Sequence, residues 1–167
     1  MGTAVFCSTK ISGITVAEEN QYYKAIDGIV YSKDGKKLLD CPGGKTGMLS
    51  IPEGVTYIED FAFRDNSNLT GKLVIPDSVT TIGYTAFEGC NGFTELIIGE
   101  SIATIDGFAF SDCTGLMGDL VFSENIKTID KGVFKNWQRN WCLAHSLCSA
   151  MQNDECKMQN NCVGSAD

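Results

Sequence analysis

Four cysteines near the C-terminus, Cys142, Cys148, Cys156 and Cys162, surround the single histidine of the chain, His145. Thiolates and imidazole are zinc ligands, but zinc sites favour cysteine pairs roughly two to four residues apart. The spacing here is C-x5-C-x7-C-x5-C. The same residues suit two disulfides in an extracellular end-cap, with their pairing open, or a set of free thiols. All three readings stand at this point. Cys90 and Cys113 lie 23 residues apart in similar surroundings. They read as small buried hydrophobes of a core ladder, with a redox pair as the rival. Glu53, Asp77, Glu100 and Glu124 recur at one position of a repeating pattern. Such a column of acids can attract a cation, but it lies in no calcium loop and reads as a solvated edge. Cys142 stands three residues before His145 without a third group to orient the base that a cysteine hydrolase needs. No phosphate-cradling glycine loop occurs. These residues argue for no catalytic site, no cofactor and no metal.

The elements that must position any site come from repetition. Residues 49–66, 73–90, 96–113 and 120–137 are four copies of one pattern. Ile51, Ile75, Ile98 and Phe122 fall at steps of 24, 23 and 24. Val55, Val79, Ile102 and Ile126 keep the same steps, as do Ile58, Ile82, Ile105 and Ile129. Phe63, Phe87, Phe110 and Phe134 keep them too. A fixed period in the twenties marks a solenoid, because one copy cannot bury its own apolar positions and must stack on the next. The four phenylalanines are therefore predicted to form a buried ladder.

Within a copy the periodicity changes. Leu73-Val74-Ile75 alternates at period two and reads as a short strand. Pro76 ends it, and Asp77-Ser78 turn the corner. Val79-Thr80-Thr81-Ile82 is β-branched and extended. Ala86-Phe87-Glu88-Gly89-Cys90 is predicted to be a short helical turn. Equivalent strands are expected to pair in parallel down the stack.

The pattern I-P-x-x-V-T-x-I-x-x-x-A-F-x-x-C, fullest at residues 75–90, resembles the BspA-type leucine-rich repeat family of bacterial and protozoan surface proteins. Gly99 and Ser123 replace its proline, Val133 its alanine, and Asn66 and Trp137 its cysteine. The resemblance implies a leucine-rich-repeat-like right-handed α/β stack of short parallel strands with short helical turns. It also implies a surface location, outside the cell, and a non-catalytic adhesion role toward a protein or glycan, host matrix proteins among the candidates. The alternative is a structural spacer or self-assembly repeat of a larger surface protein.

The organisation follows. Residues 1–137 form the solenoid, with a partial repeat at 1–16, an inserted β-hairpin at 17–47 and repeats at 48–137. Residues 138–167 form a cysteine-rich tail or cap. In the insert, Asp34-Gly35 between β-compatible flanks predicts a two-residue turn that pairs Tyr31 with Leu38 and Lys33 with Lys36. Ala25–Tyr31 reads as strand, glycine turn, strand. The stretch from Asn20 to Pro42 resembles a hairpin common in the same family. It reads as a structural flap or as a ligand-contacting one using Tyr22, Tyr23 and Tyr31. Residues 1–16 resemble the end of a truncated repeat, so the chain is expected to be a fragment whose signal and anchoring segments are missing. A net charge of −8 and a pI near 4.6 argue against nucleic-acid partners and anionic membranes. No apolar run is long enough to span a bilayer.

Strand alternation points Leu49, Leu73, Leu96 and Leu120 inward and leaves Ser50, Val74, Ile97 and Val121 outward. Thr15 is expected to continue that row. A partly apolar row with Lys72, Glu95 and Asp119 at its rim is the candidate contact surface, since apolar patches with polar rims mark interaction sites. The rival reading is that β-branched residues suit a strand whatever it faces.

Overall fold

The computed structural model of the chain describes residues 5–118 and 120–137. An antiparallel meander comes first: β1 (Tyr23–Ile26), β2 (Ile29–Ser32) and β3 (Lys37–Asp40). Four two-residue rungs extend it in parallel: β4 (Tyr57–Ile58), β6 (Thr81–Ile82), β8 (Thr104–Ile105) and β9 (Thr128–Ile129). Together they form one seven-stranded sheet in the order β1-β2-β3-β4-β6-β8-β9. A second sheet pairs β5 (Gly71–Val74) with β7 (Phe93–Ile97) in parallel. The rungs are short because only their isoleucine faces inward before the chain turns. Ile58, Ile82, Ile105 and Ile129 lie in register and are all buried. Each contributes about 1.5–3 kcal/mol relative to exposure.

The predicted phenylalanine ladder is present. Phe63 stacks on Phe87 at 4.8 Å, Phe87 on Phe110 at 5.2 Å and Phe110 on Phe134 at 5.9 Å, with the planes within 6° of parallel. A further core column, Leu69, Phe93 and Leu116, is equally buried and was not anticipated. The step from Leu69 to Phe93 is 24 residues and from Leu73 to Leu96 only 23. The register irregularity beside Gly71, at φ 81°, takes up the difference.

The expected short helical turns are not helices; among the described residues no helix occurs. Two left-handed residues four apart break each turn: Phe61 and Asp65, Thr85 and Gly89, Phe108 and Asp112, Gly132 and Asn136. Alternate amides then point along the stack. Phe61, Phe63 and Asp65 donate to the carbonyls of Tyr84, Ala86 and Glu88, and Thr85, Phe87 and Gly89 to those of Gly107, Ala109 and Ser111. Those donors bond the next coil, where a helix would bond within its own turn.

The hairpin also differs from expectation. Tyr31 does pair with Leu38, but Lys33 and Lys36 stand outside the ladder. Gly35 has φ 76° and donates to the Ser32 carbonyl, while Asp34 is not left-handed, so the loop is wider than two residues. The two-residue turn with both φ values positive is Asp27-Gly28, at 48° and 74°. Lys45 holds it, donating to the Asp27 carbonyl at 2.7 Å and pairing with its carboxylate at 3.0 Å. The hairpin packs directly on the first repeat. Leu38 pairs in parallel with Ile58, so β3 is itself the first rung. The Leu-x-Ile strands pair less widely than expected: residues 49–51 and 120–122 are in no strand.

Candidate binding surface

Val74 and Ile97 are direct partners across β5 and β7, with Leu73 paired to Leu96 on the buried face. Alternation therefore leaves Val74 44% and Ile97 39% exposed, and Val121 is 77% exposed. Ser50 is exposed as well, but it lies outside any strand. A groove of about 270 Å³ lies beside Ile97 and Val121, bounded by Glu95, Glu100 and Ser123. Lys72 and Glu95 rim the row and pair at 3.1 Å. Asp119, the other rim residue, lies outside the described residues. Thr15 is exposed, and its neighbour Ile14 donates to the Gly28 carbonyl at 3.0 Å, which ties that segment to the β1–β2 turn.

On the hairpin, the Asn20 side chain accepts from the amides of Tyr22 and Tyr23, both at 2.9 Å. Tyr22 is 76% exposed, whereas Tyr23 is half-buried. Tyr31, the third member of the expected flap contact, is fully buried, and burial raises its phenol pKa. It is a core residue and cannot touch a partner.

The cysteines at the repeat position are buried hydrogen-bond donors. The Cys90 thiol donates to the Phe63 carbonyl at 3.0 Å and the Cys113 thiol to the Phe87 carbonyl at 2.9 Å. Burial pushes the Cys113 and Cys41 thiols up to about 12 and raises Cys90 well above its ordinary 9.0. Such thiols are not thiolates at neutral pH and are poor nucleophiles. The corner acids Glu53, Asp77, Glu100 and Glu124 are exposed, and Asp77 accepts from the Glu100 amide at 2.9 Å. Among the described residues no group of three acids, histidines or cysteines could hold a metal ion. The tail cysteines and His145 lie outside the described residues.

A second surface went unread in the sequence. Phe61, Tyr84 and Phe108 form an edge-to-face column, with centroids 5.7 and 5.9 Å apart. Beside it runs a polar row from equivalent repeat positions, Arg64, Glu88, Ser111 and Lys135. The column hides because Tyr84 occupies a different repeat position from the two phenylalanines. Its one signal is the glycines that leave room for the rings. A side chain at Gly132 would meet the Phe108 ring, and one at Gly107 would come within 3.3 Å of Tyr84.

A parallel stack of coils with aligned isoleucine and phenylalanine columns is a leucine-rich-repeat solenoid. This chain belongs to the BspA-type leucine-rich repeat family, whose model matches residues 45–151 with six copies. No curated protein matches it. It is similar to the pneumococcal vaccine antigen PcpA at 25% identity and a TM-score of 0.60, over 72% of this chain and 33% of that one. A leucine-rich cell surface protein from Faecalibacterium prausnitzii is 24% identical with a TM-score of 0.61, over 89% of this chain and 47% of that one. A leucine-rich repeat protein from Bacteroides capillosus is 22% identical with a TM-score of 0.54, over 70% of this chain and 96% of that one. The chain thus spans a third to a half of the first two. Among the described residues no helix is long and apolar enough to cross a membrane.

Proposed function

We propose that the chain is a non-catalytic repeat module of a cell-surface protein, located outside the cell, which binds a partner protein or glycan through the row Val74, Ile97 and Val121. The observation that carries this reading is the exposure of three β-branched apolar side chains, two of which, Ile97 and Val121, line a groove, with the Lys72–Glu95 pair at the rim. Ser50 and Thr15 extend the row as its polar flank. Tyr22 and Tyr23 on the hairpin are secondary contacts. The family and the similarity to the pneumococcal vaccine antigen PcpA support the surface location. Host matrix proteins are the first partners to try. A spacer or self-assembly repeat would expose a polar row there, and this row is mainly apolar. The experiment is capture of purified matrix proteins and glycans on the immobilised chain. Reproducible, saturable binding of one of them supports the module reading. Failure of all, with the chain self-associating at the same concentration, favours the assembly alternative.

A further inference from the structure

The aromatic column is built differently from the core ladder. In the core, neighbouring phenylalanine rings lie parallel, and each inner ring covers both its faces. At the surface the Phe61–Tyr84 and Tyr84–Phe108 planes meet at 72° and 80°, so an edge meets a face and ring area stays open. Cations attend the outer rings: the Arg64 guanidinium lies 5.8 Å from the Phe61 centroid and the Lys135 ammonium 5.9 Å from that of Phe108. Tyr84, between them, is 41% exposed. A groove of about 300 Å³ joins the rings to the polar row.

We infer that this groove is a saccharide-binding site, centred on Tyr84, for a neutral glycan. Three observations select the ligand class. The polarised C–H face of a pyranose suits the negative face of an open aromatic ring. Arg64 and Lys135 supply donors, and the carboxylates of Glu88 and Asp112, which line the same groove, supply acceptors for ring hydroxyls. These two cations and two anions cancel, and Arg64 already pairs with Glu88 at 3.2 Å, so the lining does not select an ionic ligand. An extended peptide is disfavoured, because the turn amides of Phe61, Phe63 and Asp65 are bonded to the next coil and leave no edge for strand addition. The groove is open and spans three successive coils, which fits successive residues of a chain better than an enclosed small molecule. This inference rests on the reading of the chain as a binding module but uses other residues than the strand row.

The test is an NMR titration of the isotope-labelled full chain with cellohexaose, chitohexaose and mannohexaose, and with a heparin hexasaccharide as the anionic comparison. The expected result is saturable shifts centred on Phe61, Tyr84 and Phe108 with at least one neutral oligosaccharide below about 10 mM. Tyr84→Ala, in a chain whose spectrum remains native, should weaken that binding roughly tenfold, whereas Tyr84→Phe, which keeps the ring, should hold it within about threefold. Val74→Lys with Ile97→Glu should leave it unchanged. Absence of shifts with every neutral sugar, binding of heparin alone, or unaltered affinity in folded Tyr84→Ala would each overturn the site. Loss of sugar binding in the strand-row variant, with Tyr84→Ala unaffected, would also overturn it while leaving the binding-module reading standing.

Discussion

The Cys113 thiol donates a 2.9 Å hydrogen bond to the carbonyl oxygen of Phe87 in the preceding coil. Trp137 makes the same bond one coil further on, its indole N–H donating to the Phe110 carbonyl at 2.8 Å. Asn66, at the equivalent place in an earlier coil, donates to the Pro42 carbonyl at 2.9 Å. The position therefore requires a donor that reaches back one coil, and cysteine is only one way to supply it. The two residues that break the cysteine pattern keep its physical role.

This relationship predicts a ranking. Cys113→Ser keeps a donor at the buried site, whereas Cys113→Ala removes it. Urea unfolding should show Ser as the more stable of the two by about 0.5–1.5 kcal/mol, the usual net worth of such a bond. Equal stabilities would mean that the thiol acts through packing alone.

The same thiols should be chemically silent. Alkylation of the native chain at about pH 8, mapped by mass spectrometry, should leave Cys41, Cys90 and Cys113 unmodified, because each is buried and protonated. Rapid labelling of Cys113 in the folded protein would contradict the packing described here.

Phe87 lies between two parallel rings and is fully buried. Phe87→Ala should cost about 3–5 kcal/mol in unfolding free energy. A loss below about 1 kcal/mol would mean that the coils do not stack in this register.

Much of this was legible because the isoleucine and phenylalanine columns repeat without a shift, and periodicity survives reading one residue at a time. The turn conformation was not legible. Ala86-Phe87-Glu88-Gly89 suits a helix locally, and only the next coil, by accepting the amides of Phe87 and Gly89, draws the backbone away from one. The Asp-Gly signal misled for a related reason. Both Asp27-Gly28 and Asp34-Gly35 carry it, but β1 and β2 close directly around the first, while Ser32 and Asp34 bond each other at 2.6 Å and widen the second. Of the candidate surface, the outward Val74 and Ile97 followed from strand alternation, whereas Val121 is exposed outside any strand. The aromatic column did not follow from alternation, because its rings come from different repeat positions and meet only when the coils are stacked.

Asp106 gives a pH signature. Burial, then Asp60, then Asp130 raise its carboxyl above the ordinary 3.8. The folded state therefore holds this proton more tightly than the unfolded chain does, and the penalty appears as pH rises through the folded value. Asp106→Asn should be more stable than the parent at neutral pH, with the difference fading below the ordinary carboxylate value of about 3.9. A thermal melt series across pH checks this, and a constant difference at all pH values would remove the carboxylate from the explanation.

Residues 153–167 lie beyond the family match, which ends at 151. Deleting them should leave the melting temperature of the solenoid within about 3 °C of the full chain, the shift expected of less than about 1 kcal/mol. Loss of cooperative unfolding would make that segment a structural cap.

The most direct test of the account is the double substitution Val74→Lys with Ile97→Glu, made in the full chain and shown by circular dichroism to stay folded. Both side chains are exposed, so the solenoid should tolerate the change. Affinity for the matrix protein captured by the parent chain should then fall by at least about tenfold, or 1.4 kcal/mol. Unchanged affinity in the folded variant would contradict the central claim and place the contact away from the strand row.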